Sequence, residues 1–217
     1  MSLADKDQQS DNVAEWVLLD TETDGLYTPI HVIEIAAIRM MGLSPVGEPF
    51  QVFLNHNVPI PPEAFAVHGY SEEFLKKRGI APREAHERLR AYVGDRPIAS
   101  HYLSFDWNRT LLPEWTRLGI PTIGRKGMCT WSLSRRVIHE TPSHRLDVLR
   151  DRFGLKCHRP HSASGDVESL LDLWQRVLLP RLRNAGISSY ERIVDFSMTR
   201  PIGQCLCLVQ GRDYEEL

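Results

Sequence analysis

The chain opens on a polar stretch, MSLADKDQQSDN, and turns apolar from Trp16 to Leu19. A short apolar run followed by the turn signal Asp24-Gly25 predicts a buried strand. HVIEIAAIRMMG, over 31–42, is a second β-branched run and ends at Gly42. Residues 49–57 alternate Phe50, Val52 and Leu54 against Gln51, Phe53 and Asn55, the period of a strand with one wetter face. The connections are short, so strands one to three are expected to form an antiparallel meander.

Helical spacing dominates afterwards. A Pro-rich connection carries a short helix at 62–67. Ser71 caps a helix over 72–78, and Pro82 opens one over 82–93 that stops at Gly94. RPIASHY, over 96–102, reads as a fourth strand. A helix starts near Phe105 with Leu111, Leu112, Trp115 and Leu118 on one face, and Pro113 either kinks or bounds it. Residues 128–137 fit a strand or a helix. Ser143 is placed to cap a helix with Leu146, Leu149 and Phe153 at spacings of three and four, and 164–182 is strongly amphipathic. Residues 1–14 read as a disordered tail, 15–182 as the working domain, and 183–217 as an extension with no partner in this scheme. Within that extension Cys205 and Cys207 alternate as on a strand, with packing as their role. The order fits an α/β domain, a mixed sheet covered by helices.

The 217 residues match one domain with tails, and 42% hydrophobic residues is ordinary for a globular chain. No run approaches the ~18 apolar residues of a membrane span. The N-terminus lacks the apolar stretch of a secretory signal, and four cysteines without a CxxC pair make no disulfide framework. A cytoplasmic location with no membrane contact is expected. The net charge of −2 excludes a uniformly basic coat. Its distribution is uneven: residues 107–164 hold eleven Lys or Arg against four acids, a local +7, and the rest of the chain carries −9. That suits a polyanion held beside a cation site, and equally two solvated Arg-rich helices.

Three signals carry chemistry. Asp20 and Glu22 end the first strand, and strand alternation points them to the same face. Paired desolvated carboxylates are costly unless a cation neutralises them, and oxygen ligands suit Mg²⁺ or Mn²⁺. Asp106 sits in the first turn of a helix after a strand. Asp166 opens a late helix, and His161 lies five residues earlier in the loop feeding it. Each alone also fits a helix-start acid or a loop histidine.

Together, in this order, these residues resemble the DEDDh exonucleases, the family of the proofreading subunit of bacterial replicative polymerases. Further matching stretches are DTETDGL (20–26), VIEIAAI (32–38), IPPEAFAVHGYS (60–71) and HRLDVLRDRFGL (144–155). The resemblance implies a ribonuclease H-like fold with a mixed five-stranded sheet flanked by helices. It implies that Asp20, Glu22, Asp106 and Asp166 hold two divalent cations, Mg²⁺ or Mn²⁺, and that His161 is the general base. The implied reaction is 3′→5′ hydrolysis of a nucleic-acid 3′ end, single-stranded DNA first, releasing nucleoside 5′-monophosphates. RNA or oligoribonucleotides are the close alternative, and a binding module with an inactive site is the alternative of another class. Thr23, Leu26 and His68 match positions around the terminal nucleotide, with Leu26 as a wedge against the last base. A polymerase or a second copy as partner stays open.

Two positions depart from the family pattern. Tyr102 replaces an amide side chain in the second motif, and Gly165 stands where an acid usually precedes the last Asp. Cys157-His158-x-x-His161 has the look of zinc spacing but lacks an obvious fourth ligand. Glu34 is a buried-strand acid with a local or a near-site role. Trp107, Trp115, Trp131 and Trp174 read as core rather than as stacking platforms, Trp107 being the one beside a site residue.

Overall fold

The computed structural model describes residues 14–124 and 127–211. Of the tail expected to be disordered, residues 1–13 lie outside that range, and Ala14 is tied to the fold, its carbonyl accepting from Gly42 N at 2.8 Å. Among the described residues, β1 (Glu15–Thr23), β2 (Val32–Met41), β3 (Ser44–Phe53), β4 (Ile98–Ser100) and β5 (Met128–Cys129) form one sheet of order β3-β2-β1-β4-β5. The β1–β2 and β2–β3 pairs are antiparallel, as the meander requires, and β1–β4 and β4–β5 are parallel. The third strand begins and ends several residues earlier than its alternation suggested, because Gly42 turns the chain straight back after β2. The ambiguous 128–137 stretch is both things: two residues of strand, then helix α5 (Thr130–Val137).

Period two along β1 sorts its side chains between two layers. Trp16 and Leu18 point to one side, into a core shared with α5, α6 (Leu146–Phe153) and α7. That last rod is α-helical over Ala163–Leu173, π-helical over Trp174–Leu178 and α-helical again over Leu179–Asn184. Val17 and Leu19 point the other way, toward α3 (Pro82–Val93) and α4. The rod α4 is π-helical over Ser104–Leu111 and α-helical over Leu112–Leu118. Two short helices, α1 (Pro62–His68) and α2 (Glu72–Arg78), bridge β3 to α3. Pro113 neither bounds α4 nor stops it. The ring has no N–H to give, and the missing donor falls where π winding has already shifted the hydrogen-bond register; Pro180 repeats the device in α7.

The last described segment forms two helices, α8 (Tyr190–Thr199) and α9 (Ile202–Gln210). Cys205 and Cys207 are therefore helical, not strand residues as their alternation suggested, and both are buried. Ile193, Phe196 and Cys205 join the core beneath α5, and Tyr190 stacks on Trp16 at 5.3 Å. Tertiary packing gives this stretch the partner that local periodicity did not reveal. Among the described residues no helix is long and apolar enough to cross a membrane.

Candidate metal centre

The site forms where β1 runs out against the first turn of α7. Strand alternation puts Asp20 and Glu22 on the α7 side, and the register with β2 slips after Glu22, as at a bulge. Asp166 enters from α7, whose first turn is capped by Ser162: its Oγ accepts from Gly165 N at 3.1 Å. One oxygen each from Asp20, Glu22 and Asp166 lies within 4.8 Å of the others. Burial pushes the Asp20 carboxyl well above its ordinary range, and the charges of Asp106, Asp166, Glu22 and Glu34 push it further. Burial also lifts Glu22 to about 8, with Asp166 and Glu34 adding to the rise and Arg159 opposing it. Burial raises Asp166 too, against a 2.7 Å ion pair from Arg150. These oxygens crowd together with too little positive charge, the donor set a hard divalent cation neutralises.

Asp106 stands behind this trio rather than within it. It approaches from α4 and is 3% exposed; Oδ1 accepts from the Thr21 hydroxyl at 2.7 Å and Oδ2 from the Ser100 hydroxyl at 2.9 Å. Burial pushes its pKa to about 6 and the two hydroxyls pull against that. Its charge reaches Asp20, and each of its oxygens keeps a second lone pair beside its hydroxyl bond.

His161 is exposed beside Asp166, on a loop residue with φ of +56°, a conformation few non-glycine residues adopt. The Gly165 departure now has a cause. A Cβ at Gly165 would stand 1.9 Å from the carbonyl oxygen of Arg159, so the loop that carries His161 folds directly over this glycine.

Of the other expected residues, Thr23 is buried and its hydroxyl donates to Gly25 O at 2.9 Å. Leu26 is 62% exposed on the β1–β2 loop, which is pinned by Asp24 to His31 and by Arg109 donating to Leu26 O at 2.8 Å. His68 is buried at the end of α1. Its Nδ1 accepts from Tyr70 N at 3.0 Å, which leaves the proton on a buried Nε2 without a partner. Burial and the Arg159 charge hold its pKa down at about 4, so the ring is neutral. Of the Cys157-His158-x-x-His161 spacing, only His161 approaches the acids; His158 instead pairs with Glu168 at 2.9 Å.

Three residues gain roles that spacing did not assign. Glu34, opposite Glu22 across β1–β2, is fully buried and accepts from the Tyr70 hydroxyl at 2.8 Å, Gln51 at 2.8 Å and Ala163 N at 2.9 Å. It thereby ties the start of α7 to the sheet. Arg150 pairs with Asp166. Arg159 donates to His68 O at 2.8 Å and lies 4.3 Å from the Tyr70 ring centre. The arginines sit in the basic stretch, but nothing in their spacing told these two from their neighbours.

Residues 17–174 match the family model described as Exonuclease, of the RNase T type. The chain belongs to this exonuclease family. A DNA polymerase III subunit epsilon-like protein of Rhodobacter capsulatus is 29% identical over 188 residues, which cover 82% of this chain and 26% of that protein. The chain thus spans about a quarter of that relative's length. Among solved structures, Exonuclease X in complex with 5′ overhanging duplex DNA superposes with a TM-score of 0.60 at 23% identity, covering 84% of this chain and 99% of the other. E. coli Exonuclease I in complex with a dT13 oligonucleotide gives 0.66 at 18% identity, over 78% of this chain and 42% of that one. These likenesses are of fold, and they make the mixed sheet with its helical layers the ribonuclease H-like exonuclease fold.

Proposed function

We propose that this protein is a metal-dependent 3′→5′ exonuclease that releases nucleoside 5′-monophosphates, with DNA as its polymer. The observation that carries the reading is the under-neutralised trio of Asp20, Glu22 and Asp166 beside an exposed histidine. DNA is preferred because the solved relatives above were captured with DNA. The activity is assigned to residues 15–182, with the later helices completing the core under α5.

Asp20, Glu22, Asp106 and Asp166 would hold the divalent ions, Mg²⁺ or Mn²⁺, with Asp106 approaching from behind Asp20. Bound there, the ions supply Lewis-acid stabilisation of charge on the phosphate. The chain's own residues do the rest. His161, carried on the loop that folds over Gly165, accepts the proton of the attacking water as general base. The water oxygen forms its bond to phosphorus as the bond to the 3′ oxygen of the preceding nucleotide breaks, and that oxygen takes its proton from solvent. Leu26, exposed on its pinned loop, presses on the terminal base. His68 and Thr23 stand at the same end of the strand.

A degradation panel tests this reading. Matched DNA and RNA oligonucleotides, single and double stranded, are incubated with Mg²⁺, Mn²⁺ or EDTA. Stepwise shortening of 5′-labelled DNA with release of 5′-monophosphates, abolished by EDTA, is expected. Internal cuts, shortening from the 5′ end, or activity that survives EDTA would contradict the reading; faster loss of RNA would replace its choice of polymer.

A further inference from the structure

The metal centre opens on one side into a cavity of about 370 Å³ that none of the roles above uses. His161 and Asp166 form its inner wall, and Tyr102, Trp131, Arg145 and Arg150 form much of the remainder. One of these residues breaks an expectation of the sequence. Trp131 is not core: it is only partly buried, at the start of α5. Tyr102 is half exposed although aromatic.

The local structure explains both. Tyr102 has φ of +81°, a left-handed conformation that costs a bulky residue on the order of 1 kcal/mol or more. The turn is held there by His101, whose Nε2–H donates to His144 O at 2.7 Å while Nδ1 lies 3.0 Å from the Thr130 hydroxyl. Burial holds His101 near a pKa of 4, so this clamp is neutral. The turn drives the Tyr102 ring outward, edge-on against Trp131 at 5.6 Å. The Arg135 guanidinium covers Trp131 at 4.8 Å. Arg145 sits at the rim in a fork with Asp147, and the Nε of Arg150 is buried without a hydrogen-bond partner. A half-exposed tyrosine against a partly buried tryptophan, flanked by three arginines, matches a base face and its phosphate, and a base can reach a ring only when it is unpaired.

We propose that this cavity is a subsite for an unpaired nucleotide of the substrate strand, adjoining the nucleotide that is cleaved, with Tyr102 and Trp131 stacking its base and Arg145 and Arg150 facing its phosphate. The proposal rests on the exonuclease reading and deepens it: the subsite makes a single-stranded 3′ end the better substrate than a duplex end.

Two substrates separate this subsite from the reacting centre: a single-stranded DNA oligonucleotide and the p-nitrophenyl ester of thymidine 5′-monophosphate, which has no neighbouring nucleotide. For Tyr102→Ala, KM on the oligonucleotide should rise about tenfold with little change in kcat, in line with base stacking on an aromatic ring. The fall in kcat/KM should be at least five times larger on the oligonucleotide than on the ester. Tyr102→Phe should restore most of the loss. Equal losses on the two substrates, or a Tyr102→Phe variant as poor as Tyr102→Ala, would overturn the subsite. Tryptophan fluorescence in EDTA gives an arm that needs no turnover. The oligonucleotide should quench wild type more than Trp131→Phe, and thymidine 5′-monophosphate should quench both weakly. Quenching without hydrolysis in any metal would sink the exonuclease reading and keep the strand-binding site; hydrolysis without Trp131-dependent quenching would do the reverse.

Discussion

A fully buried acid and a half-buried acidic trio lie on opposite sides of the same sheet, and they are built differently. On the α4 side, Glu114 is fully buried but saturated. His86 bonds to Oε2, Arg117 reaches Oε1 at 3.1 Å, Val32 N donates at 3.3 Å and His56 stands 3.4 Å away. Burial alone would raise Glu114, yet these partners hold its pKa below the ordinary value. On the α7 side, Asp20, Glu22 and Asp166 have Arg150 and little else, and all three are raised. A buried carboxylate is therefore not in itself a sign of function. The chemistry lies where the protein has left acids without sufficient counter-charge.

The largest effect should come from removing chemistry on the α7 side. Asp166→Asn and His161→Ala should each lower turnover on DNA by about 10³-fold, the scale of a lost general base or ligand, while circular dichroism and melting stay native. Near-normal turnover in either variant would break the contrast.

Stability should respond with opposite signs. Glu114→Ala strands His86 and Arg117 and should cost about 3–5 kcal/mol in urea unfolding. Glu22→Gln, measured in EDTA at pH 8, should be neutral or stabilising by ~1 kcal/mol, because it removes a charge that folding desolvates. A Glu22→Gln loss as large as that of Glu114→Ala would mean that the two groups are not different in kind.

The smallest effect is a pair of pH slopes in the metal-free protein. Folded Glu22 keeps its proton to about pH 8 while the unfolded chain releases it near 4.5, so stability should fall as pH rises between those values. Glu114 titrates lower in the fold, so its stabilisation is present above 4.5 and is lost as pH falls below that value. Urea midpoints across pH for wild type, Glu22→Gln and Glu114→Gln would show each slope vanish with its own residue.

How far the sequence revealed this depended on distance along the chain. Asp20 and Glu22 were legible because strand alternation alone gives them one face, and Asp166 because it opens a strongly amphipathic helix. The three-stranded meander followed from short connections. What stayed hidden depended on partners brought together by folding. The hydroxyls that bond to Asp106 come from Thr21 and Ser100, and the guard on Glu114 comes from α3 and the segment after β3. Cys205 and Cys207 showed a strand's alternation but are seated in a helix. Trp131 read as core because composition cannot show which aromatic a strained neighbouring turn will leave at the surface.

The most direct test is a calorimetric titration with Mn²⁺ in buffers of different ionisation enthalpy near pH 7. Wild type should bind the ion and release protons as it does so, because Asp20 and Glu22 must lose protons that burial makes them keep. Asp20→Asn should abolish most of that binding. No binding by wild type, or binding by Asp20→Asn with the same affinity and proton release, would contradict the account.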